Sequence, residues 1–453
     1  MELFIVEMAR YVIILLFALY TFYSFRAFAG HNKQRQNRVF AAQRTLTLLL
    51  HTVMSAILIM ENKDIMYVGL WAAEFAFYLI FIKVYQACYK GLSKLVLNNM
   101  MMCMMVGFVI LGRLASDYAV HQIILAAAAM VLCIFVPLII EKFRILEKMG
   151  WYFAAIGIVF LMLVFVIGVE KYGSRNWISV GGIAIQPSEF VKIGLIYFFS
   201  WFLQKNQEKI DQPATLLSIA GLAAAPLLLV LKQPDLSTSI VILFTILCMI
   251  YISGISYKLI FRTAAIGIPL LCLLMYLAHE DLIPFIEPYQ VNRVLAFINP
   301  EKYADLNLQQ DNSKMAIGSG MLYGKGLFND TAISVKNGNY LSEEHTDFIF
   351  SVIGEELGFA GCMLVLLLYF LLVFECLRMA GRAKDMTGRL LCAGMAALVG
   401  FQSFTNIAVA TGVFPNTGLP LPFISYGVSS LVSLYIGIGI VLNVGLQQSK
   451  PEN

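Results

Sequence analysis

The stretch EEHTDFIFSVIGEELGFAGCMLVLLLYFLLVFEC, residues Glu343–Cys376, passes from a charged segment into a long apolar run. Its first 14 residues hold five carboxylates and a histidine. A run of about 20 apolar residues spans a bilayer as an α-helix. A carboxylate inside such a helix costs roughly 2.5–3.5 kcal/mol, and it therefore faces protein or a wet cavity. The stretch predicts a membrane helix with a polar site at one end.

The composition of the whole chain agrees with this prediction. Of 453 residues, 60% are hydrophobic and 13% charged, and the mean hydropathy is +0.78. The apolar runs are continuous rather than alternating, which indicates helices and not a membrane β-barrel. The net charge of +4 lies in short loops, so it indicates topology and not nucleic-acid binding. The eight cysteines lie in or beside apolar runs without a CxxC spacing, so neither a disulfide framework nor a zinc site is implied.

Run lengths and charged breaks predict an all-α polytopic membrane protein with about 13 transmembrane helices. The predicted spans are 4–24, 46–61, 65–84, 96–113, 119–140, 150–169, 188–204, 214–231, 236–253, 258–278, 346–375, 387–411 and 423–446.

Lys and Arg are concentrated in alternate short loops, beginning with the loop that holds Arg26 and Arg44. Because such loops stay in the cytoplasm, we expect the N-terminus outside and the C-terminus inside. This orientation places two polar segments outside the cytoplasm, namely Glu170–Phe190 and the large extracytoplasmic loop 279–345. Within that loop, the glycine-rich stretch Ala316–Gly326 is expected to turn tightly and to approach a ligand.

Two charged pairs stand at the predicted outer ends of helices. Glu189 and Lys192 lie three residues apart after a proline, and Lys232 and Asp235 flank Pro234. A local ion pair explains each of them. Their shared location with the large loop also indicates a polar cavity that is open to the outer side.

Two carboxylates of the first stretch have different expected roles. Asp347 lies where the helix begins, so it either caps the helix or belongs to a site. Glu355 lies about two turns further in, where an unpaired carboxylate is penalised. We expect Glu355 to bond to another helix, with Lys192 or Lys232 as its partner.

The residues alone leave two classes of protein open. One is a transporter with a polar pathway through the membrane. The other is an enzyme that acts on a lipid-linked substrate at the outer surface. The large, acidic outer loop favours the enzyme, but composition does not decide between the two.

Several strings together resemble the SEDS family (shape, elongation, division and sporulation), which includes the FtsW, RodA and SpoVE proteins. They occur in the family's order over residues 96–448 and are GSRNWISVGGIAIQPSEFVKIG, KQPDLSTS, YQVNRVLAFINP, AIGSGMLYGKG, EEHTDFIFSVIGEELGFAG and FPNTGLPLPFISYGVSS. The family has ten membrane helices, so residues 1–95 add three helices of unknown role. We expect these three to be dispensable for chemistry.

The resemblance implies a peptidoglycan glycosyltransferase of cell division, elongation or sporulation. Such an enzyme polymerises glycan strands from lipid II at the outer face of the cytoplasmic membrane, and its partner is a class B penicillin-binding protein. Two alternatives stay open: a lipid II flippase, and a non-enzymatic scaffold for a penicillin-binding protein.

The resemblance also assigns roles to residues. The family's key acid follows an R-V-x-x-F-x-N-P string, here Arg293–Pro300, and Asp305 is its best match. Glu301 and Asp311 are the alternatives. Candidates for the pyrophosphate are Arg293, Lys314 and Arg175. The other residues assigned to the substrate cavity are Trp177, Glu189, Lys192, Lys232, Asp235, His345, Asp347 and Glu355.

Three further expectations concern Trp177, His345 and a metal ion. Trp177 either stacks on a sugar or packs at the membrane interface. His345 is expected to be a hydrogen-bonded structural group rather than a base. No metal is required, although a divalent cation, Mg²⁺ or Mn²⁺, would fit between a carboxylate and the pyrophosphate.

Overall fold

The computed structural model describes residues 2–28, 33–89, 91–142, 150–171, 174–279, 288–327, 334–338 and 340–448. The described chain begins with three long helices. They are α1 Glu2–Phe28, α2 Lys33–Asn62 and α3 Ile65–Cys88. α3 begins where the Asp64 side chain accepts the Met66 N–H at 2.9 Å, which satisfies one of the free amides of the first turn.

Seven helices follow before the large loop. They are α4 Lys94–Leu114, α5 Ser116–Lys142, α6 Gly150–Ile167, α7 Pro187–Lys205, α8 Pro213–Leu231, α9 Leu236–Ile252 and α10 Tyr257–His279. α4 is the central helix, because the whole of its apolar stretch is buried by other helices. Its run of methionines suits that position, since flexible thioethers fill irregular gaps.

Three shorter helices lie in the large loop, and three long helices end the described chain. The loop helices are α11 Pro288–Ile298, α12 Ala304–Ser319 and α13 Val335–Gly338. The final helices are α14 Ile349–Gly381, α15 Met386–Ala410 and α16 Val428–Gln448. Residues 411–427, here called the 411–427 loop, connect α15 to α16.

The all-α class is confirmed, and each predicted span falls on one long helix. Among the described residues, ten helices are long and apolar enough to cross a membrane. The number of 13 crossings stays a prediction. The span 46–61 was too short, because α2 begins at Lys33 and includes the polar residues that precede the apolar run.

A small antiparallel sheet lies in the segment 170–190, which is predicted to be outside the cytoplasm. Its strands are β1 Val169–Lys171, β2 Ser174–Val180 and β3 Ile183–Ile185, in the order β1-β2-β3. Gly181 and Gly182, with φ of +58° and +83°, connect β2 to β3. Two consecutive residues with positive φ form the tight turn that matches strand twist, and glycine adopts it without strain.

α14 is broken near its N-terminal end. Gly358 has φ +66° and ψ −166°, so residues 349–357, here called the outer piece of α14 after the predicted orientation, and residues 359–381 are separate helical pieces. A neighbouring segment, residues 320–326, satisfies the backbone groups that the break exposes. Lys325 and Gly326 donate their N–H groups to the carbonyls of Glu355 and Glu356, each at 2.9 Å. In the other direction, the N–H groups of residues 359 and 360 bond to the carbonyls of residues 321 and 322.

Glycine makes this close approach sterically feasible. A Cβ on Gly320 would lie 2.0 Å from the Gly354 carbonyl oxygen, and one on Gly324 would lie 2.1 Å from that of Glu356. The glycine-rich stretch was expected to approach a ligand. In the structure it approaches the backbone of the broken helix, and its approach to a ligand stays a prediction.

Candidate functional site

α12 lies at the predicted outer end of the bundle and is fixed there by buried polar side chains. The Asn307 amide donates to the Ala296 carbonyl at 2.8 Å, which joins α12 to α11. The Gln310 amide donates to the carbonyls of Val409 and Phe414 at 2.8 and 2.7 Å. These bonds join α12 to the C-terminal end of α15 and to the 411–427 loop that follows it. α12 is therefore a fixed platform and not a loose part of the loop.

Asp305 lies in the first turn of α12 and is exposed. Asp311 and Lys314, on the same helix, form an exposed ion pair with an O–N distance of 2.7 Å. At a rise of about 1.5 Å and about 100° per residue, Asp305 and Lys314 are about 13 Å apart along the axis and point in opposite directions. Asp305 and Lys314 therefore cannot contact the same reacting group. The site residues predicted from the sequence thus lie in more than one place.

Asp347 and Arg293 form a second part of the site. The Arg293 guanidinium donates to the Asn416 carbonyl at 3.3 Å. Burial raises the pKa of Asp347 to about 7, the negative charge of Glu343 adds to the rise, and nearby Arg293 opposes it. α14 has no side-chain bond at its cap residue Phe348, so the structure does not support a capping role for Asp347.

His345 has a packing role. Its ring stacks on Tyr118 with centroids 4.2 Å apart and planes 7° apart. Its backbone carbonyl accepts the Tyr426 N–H at 2.9 Å, and burial lowers the pKa of its imidazole. The expectation of a structural histidine agrees with these contacts, although stacking and not a side-chain hydrogen bond holds the ring.

Asp235 is the centre of a buried hydrogen-bond network. It caps α9 by accepting the Thr238 N–H at 3.0 Å. It also accepts the side-chain amides of Asn176 at 2.9 Å and Gln186 at 3.0 Å. The expected local pair with Lys232 was wrong, because the turn at Pro234 points Asp235 into the bundle. Lys232 is exposed, with its ammonium 5.8 Å from the Phe165 ring centre.

The local pair between Glu189 and Lys192 is confirmed. The two groups are 2.7 Å apart and both are buried. Lys192 also donates to the Gln402 side chain at 3.2 Å, and Gln402 donates to the Pro420 carbonyl at 3.1 Å. One turn along α15, Asn406 bonds to the carbonyls of Asp347 and Leu419.

Sequence analysis missed Gln402 and Asn406. Their signal was two amides four residues apart inside an apolar run, which places them on one helix face. They connect the buried Lys192 to the 411–427 loop and that loop to the start of α14.

Arg175 and Trp177 lie on β2. Arg175 is exposed, and its Nε donates to the Gly168 carbonyl at 2.9 Å. Trp177 is half-buried and pairs in register with Val169. Contact of either residue with a substrate stays a prediction.

Glu355 has partners that the sequence did not indicate. Its Oε1 is 2.8 Å from the Lys325 ammonium, and its Oε2 accepts the Val335 N–H at 2.9 Å. The expected partners Lys192 and Lys232 were therefore wrong. The expected type of contact was right, since a buried carboxylate bonds to a cation on another segment.

The adjacent Glu356 belongs to a charged cluster that the sequence analysis missed. Arg113 on α4 is fully buried between two carboxylates, 2.8 Å from Glu356 and 2.5 Å from Glu61 on α2. Lys336 lies 3.2 Å from the same Glu61 oxygen. An arginine in an apolar run, as in the stretch GRLAS, signals such a partner.

In the parts of the chain that the structure describes, no group of three His, Cys, Asp or Glu side chains could hold a metal ion. An exposed carboxylate such as Asp305 fits only a hydrated Mg²⁺ or Mn²⁺ that keeps several waters and takes further ligands from substrate phosphates.

Comparison with known proteins gives a consistent result. The model of the FtsW, RodA and SpoVE family, described as cell cycle protein, matches residues 87–450. A probable peptidoglycan glycosyltransferase FtsW of Trichlorobacter lovleyi is 36% identical over 297 residues, which are 64% of this chain and 74% of the relative. Stage V sporulation protein E of Bacillus subtilis is 36% identical over 293 residues, covering 63% and 76%. The peptidoglycan glycosyltransferase MrdB of Escherichia coli K12 is 34% identical over 308 residues, covering 66% and 79%.

Solved structures agree with this comparison. A chain from a peptidoglycan synthase complex, whose study concerns the coordination of polymerization and crosslinking, matches with a TM-score of 0.66 and 29% identity. The match covers 80% of this chain and 100% of that one. The rod shape determining protein RodA of Thermus thermophilus matches with a TM-score of 0.58 and 27% identity, covering 80% and 99%.

Proposed function

Because this chain belongs to the FtsW, RodA and SpoVE family of cell cycle proteins, we propose that it polymerises lipid II into peptidoglycan glycan strands. Its curated relatives include peptidoglycan glycosyltransferases, and the identity extends over about two thirds of the chain. The proposed reaction takes place at the outer face of the cytoplasmic membrane, where the large loop lies in the proposed orientation.

One observation carries this proposal furthest: α12 presents an exposed carboxylate on a fixed support. Asn307 and Gln310 bind the inner side of the helix to α11 and α15, while Asp305 is open in its first turn. A catalytic base has to be held in place and also reachable by the substrate.

Asp305 is the proposed base. It takes the proton from the acceptor sugar hydroxyl as the hydroxyl oxygen forms a bond to the anomeric carbon of the donor. The bond between that carbon and the undecaprenyl pyrophosphate breaks at the same time, and the pyrophosphate leaves with the electron pair. Attack from the face opposite to the leaving group inverts the anomeric carbon.

Arg293 is the proposed first contact for the departing pyrophosphate. It is half-buried, and a guanidinium can bind two phosphate oxygens at once. It lies one helical turn before Ala296, whose carbonyl joins α11 to α12 close to Asp305. Lys314 faces away from Asp305, so we assign it to a more distant part of the substrate. A hydrated Mg²⁺ or Mn²⁺ would add positive charge at the pyrophosphate.

The orientation and the partner are also part of the proposal. The N-terminus lies outside and the C-terminus in the cytoplasm, as the basic loops predict. The partner is a class B penicillin-binding protein. The similarity to a chain of a peptidoglycan synthase complex supports such an assembly.

The experiment is polymerisation of labelled lipid II by the purified protein, with and without a class B penicillin-binding protein. The proposal expects glycan strands that grow in length with time and that lysozyme digests. A protein that only moves lipid II across vesicles, with no strand formed under either condition, would be a flippase. Absence of both activities, with binding to the penicillin-binding protein retained, would indicate a scaffold.

A further inference from the structure

The N-terminal helices contact the core through charged groups that the proposed reaction does not use. Glu61 lies in the last turn of α2, and its Oε1 is 2.5 Å from Arg113 and 3.2 Å from Lys336. Arg113 in turn lies 2.8 Å from Glu356. Two carboxylates and two cations thus form a balanced cluster that joins α2, α4, α13 and the outer piece of α14.

α1 adds contacts along the length of α14. Near the outer end, the Arg10 guanidinium donates to the Gly324 carbonyl at 3.2 Å. Near the other end, the rings of Phe28 and Phe374 pack edge to face with centroids 5.0 Å apart. The first two helices therefore contact both the broken helix and the 320–326 segment that pairs with its backbone.

The outer piece of α14 depends on such contacts for its position. The break at Gly358 interrupts its hydrogen bonds to the rest of the helix. Asp347 lies two residues before this piece, and the 320–326 segment directly follows α12, which carries Asp305. Any shift of these two elements is therefore passed to the proposed site.

We propose that helices α1, α2 and α3 form an intramolecular brace and that Glu61 is a positioning residue for glycosyl transfer, an inference that rests on the proposed function. Glu61 supplies the second carboxylate to a guanidinium that is fully buried. Without it, the cluster holds one uncompensated positive charge, and the outer piece of α14 shifts to relieve it. These contacts favour the opposite of the sequence-based expectation that the extra helices are dispensable, an expectation that stays a prediction.

Glu74 offers a matched control. Its carboxylate is buried and lies 2.6 Å from His51, and both residues belong to the N-terminal helices. Glu74→Gln and Glu61→Gln therefore remove one buried charge each from the same part of the chain. Only Glu61→Gln breaks a contact with the core.

The experiment measures two quantities in the full-length protein. The first is kcat and KM for lipid II polymerisation. The second is hydrogen exchange at the Lys325 and Gly326 amides, which bond to the broken helix. We expect Glu61→Gln to lower kcat about 3- to 30-fold at unchanged KM and to speed exchange at both amides. Glu61→Asp, which keeps the charge, should recover part of the kcat and part of the protection from exchange. Glu74→Gln should match the wild type in both measurements.

Arg10→Gln provides a second variant if Glu61→Gln does not fold, because Arg10 is only partly buried and its bond to Gly324 is a single contact. The brace is overturned if Glu61→Gln, or Arg10→Gln in its place, keeps wild-type kcat and exchange. It is also overturned if Glu74→Gln loses as much as Glu61→Gln, since the effect would then be general instability. Wild-type protein without polymerase activity would refute the proposed function, and the exchange comparison would still decide the brace.

Discussion

The charged residues of α12 and those of the outer piece of α14 differ in their surroundings. Asp305 is exposed, whereas Glu355 and Glu356 are buried and each lies 2.8 Å from a cation. An ionised group away from water needs a partner, so the role of Glu355 and Glu356 is structural. A group in water has no such requirement and stays available to a substrate. Burial thus separates structural from catalytic candidates in this protein.

The largest stability effect should come from Glu356→Leu. This change removes one of the two carboxylates that flank the buried Arg113. Loss of one partner of a buried ion pair costs roughly 3–5 kcal/mol. Thermal unfolding in detergent measures it, with Phe359→Leu, a change at an exposed side chain of the same helix, as a control. Equal melting temperatures for Glu356→Leu and Phe359→Leu would contradict a structural role for the buried Glu356.

Gly324→Ala should be the next largest. The new Cβ would lie 2.1 Å from the Glu356 carbonyl oxygen, a backbone atom that cannot move aside easily. We expect a loss of roughly 1–3 kcal/mol from overpacking, in addition to the strain of the positive φ. Gly326→Ala is the control, because its φ is also positive and no atom of the described residues lies within 4 Å of the position of its Cβ. A melting temperature as low in Gly326→Ala would mean that strain alone matters.

Two variants of Glu355 test whether this buried carboxylate stabilises the fold through its hydrogen bonds. Glu355→Leu leaves the Val335 N–H and the Lys325 ammonium without their acceptor, at a cost of roughly 1–3 kcal/mol. Glu355→Gln keeps the shape and one acceptor, so its melting temperature should lie between those of the wild type and Glu355→Leu. The reverse order would show that the charge and not the hydrogen bonding is needed.

A further effect concerns the pH dependence of stability and half-buried Asp347. Burial raises the pKa of its carboxyl to about 7, so the folded protein holds a proton that the unfolded chain releases near pH 4. Stability should therefore fall as pH rises from about 4 to about 7 and then level off. Asp347→Asn should make this slope shallower in thermal melts, while Glu343 and Glu344, whose pKa values burial also raises, keep part of it. Glu343→Gln should move it to lower pH, because the Glu343 charge contributes to the raised pKa. An unchanged slope in Asp347→Asn would assign it to another group.

Sequence reasoning found what local spacing determines. Continuous apolar runs located the long helices, and an i,i+3 spacing found the pair of Glu189 and Lys192. The partner of Glu355 is 30 residues away in the chain, on a segment whose approach depends on glycines fitting against a broken helix. Periodicity carries no information about such a contact.

In the candidate site, too, local features were predictable from the sequence and long-range contacts were not. Resemblance named Asp305, Arg293 and Lys314 as candidates, but it did not show that Lys314 faces away from Asp305. The network of Asp235 was mistaken for a local pair because its partners, Asn176 and Gln186, lie on or beside a small sheet about 50 residues earlier. Long-range polar contacts follow from packing of the whole bundle and not from neighbouring residues.

The central claim is that an exposed carboxylate of α12 carries the chemistry. Its most direct test is the rate of lipid II polymerisation by Asp305→Asn beside Asp311→Asn, an identical change at another exposed position of the same helix. The account predicts a loss of roughly 10²- to 10⁴-fold for Asp305→Asn, with wild-type melting temperature and membrane insertion. It predicts a near wild-type rate for Asp311→Asn. Near wild-type polymerisation by Asp305→Asn would contradict the account, and a loss confined to Asp311→Asn would assign the base to that residue.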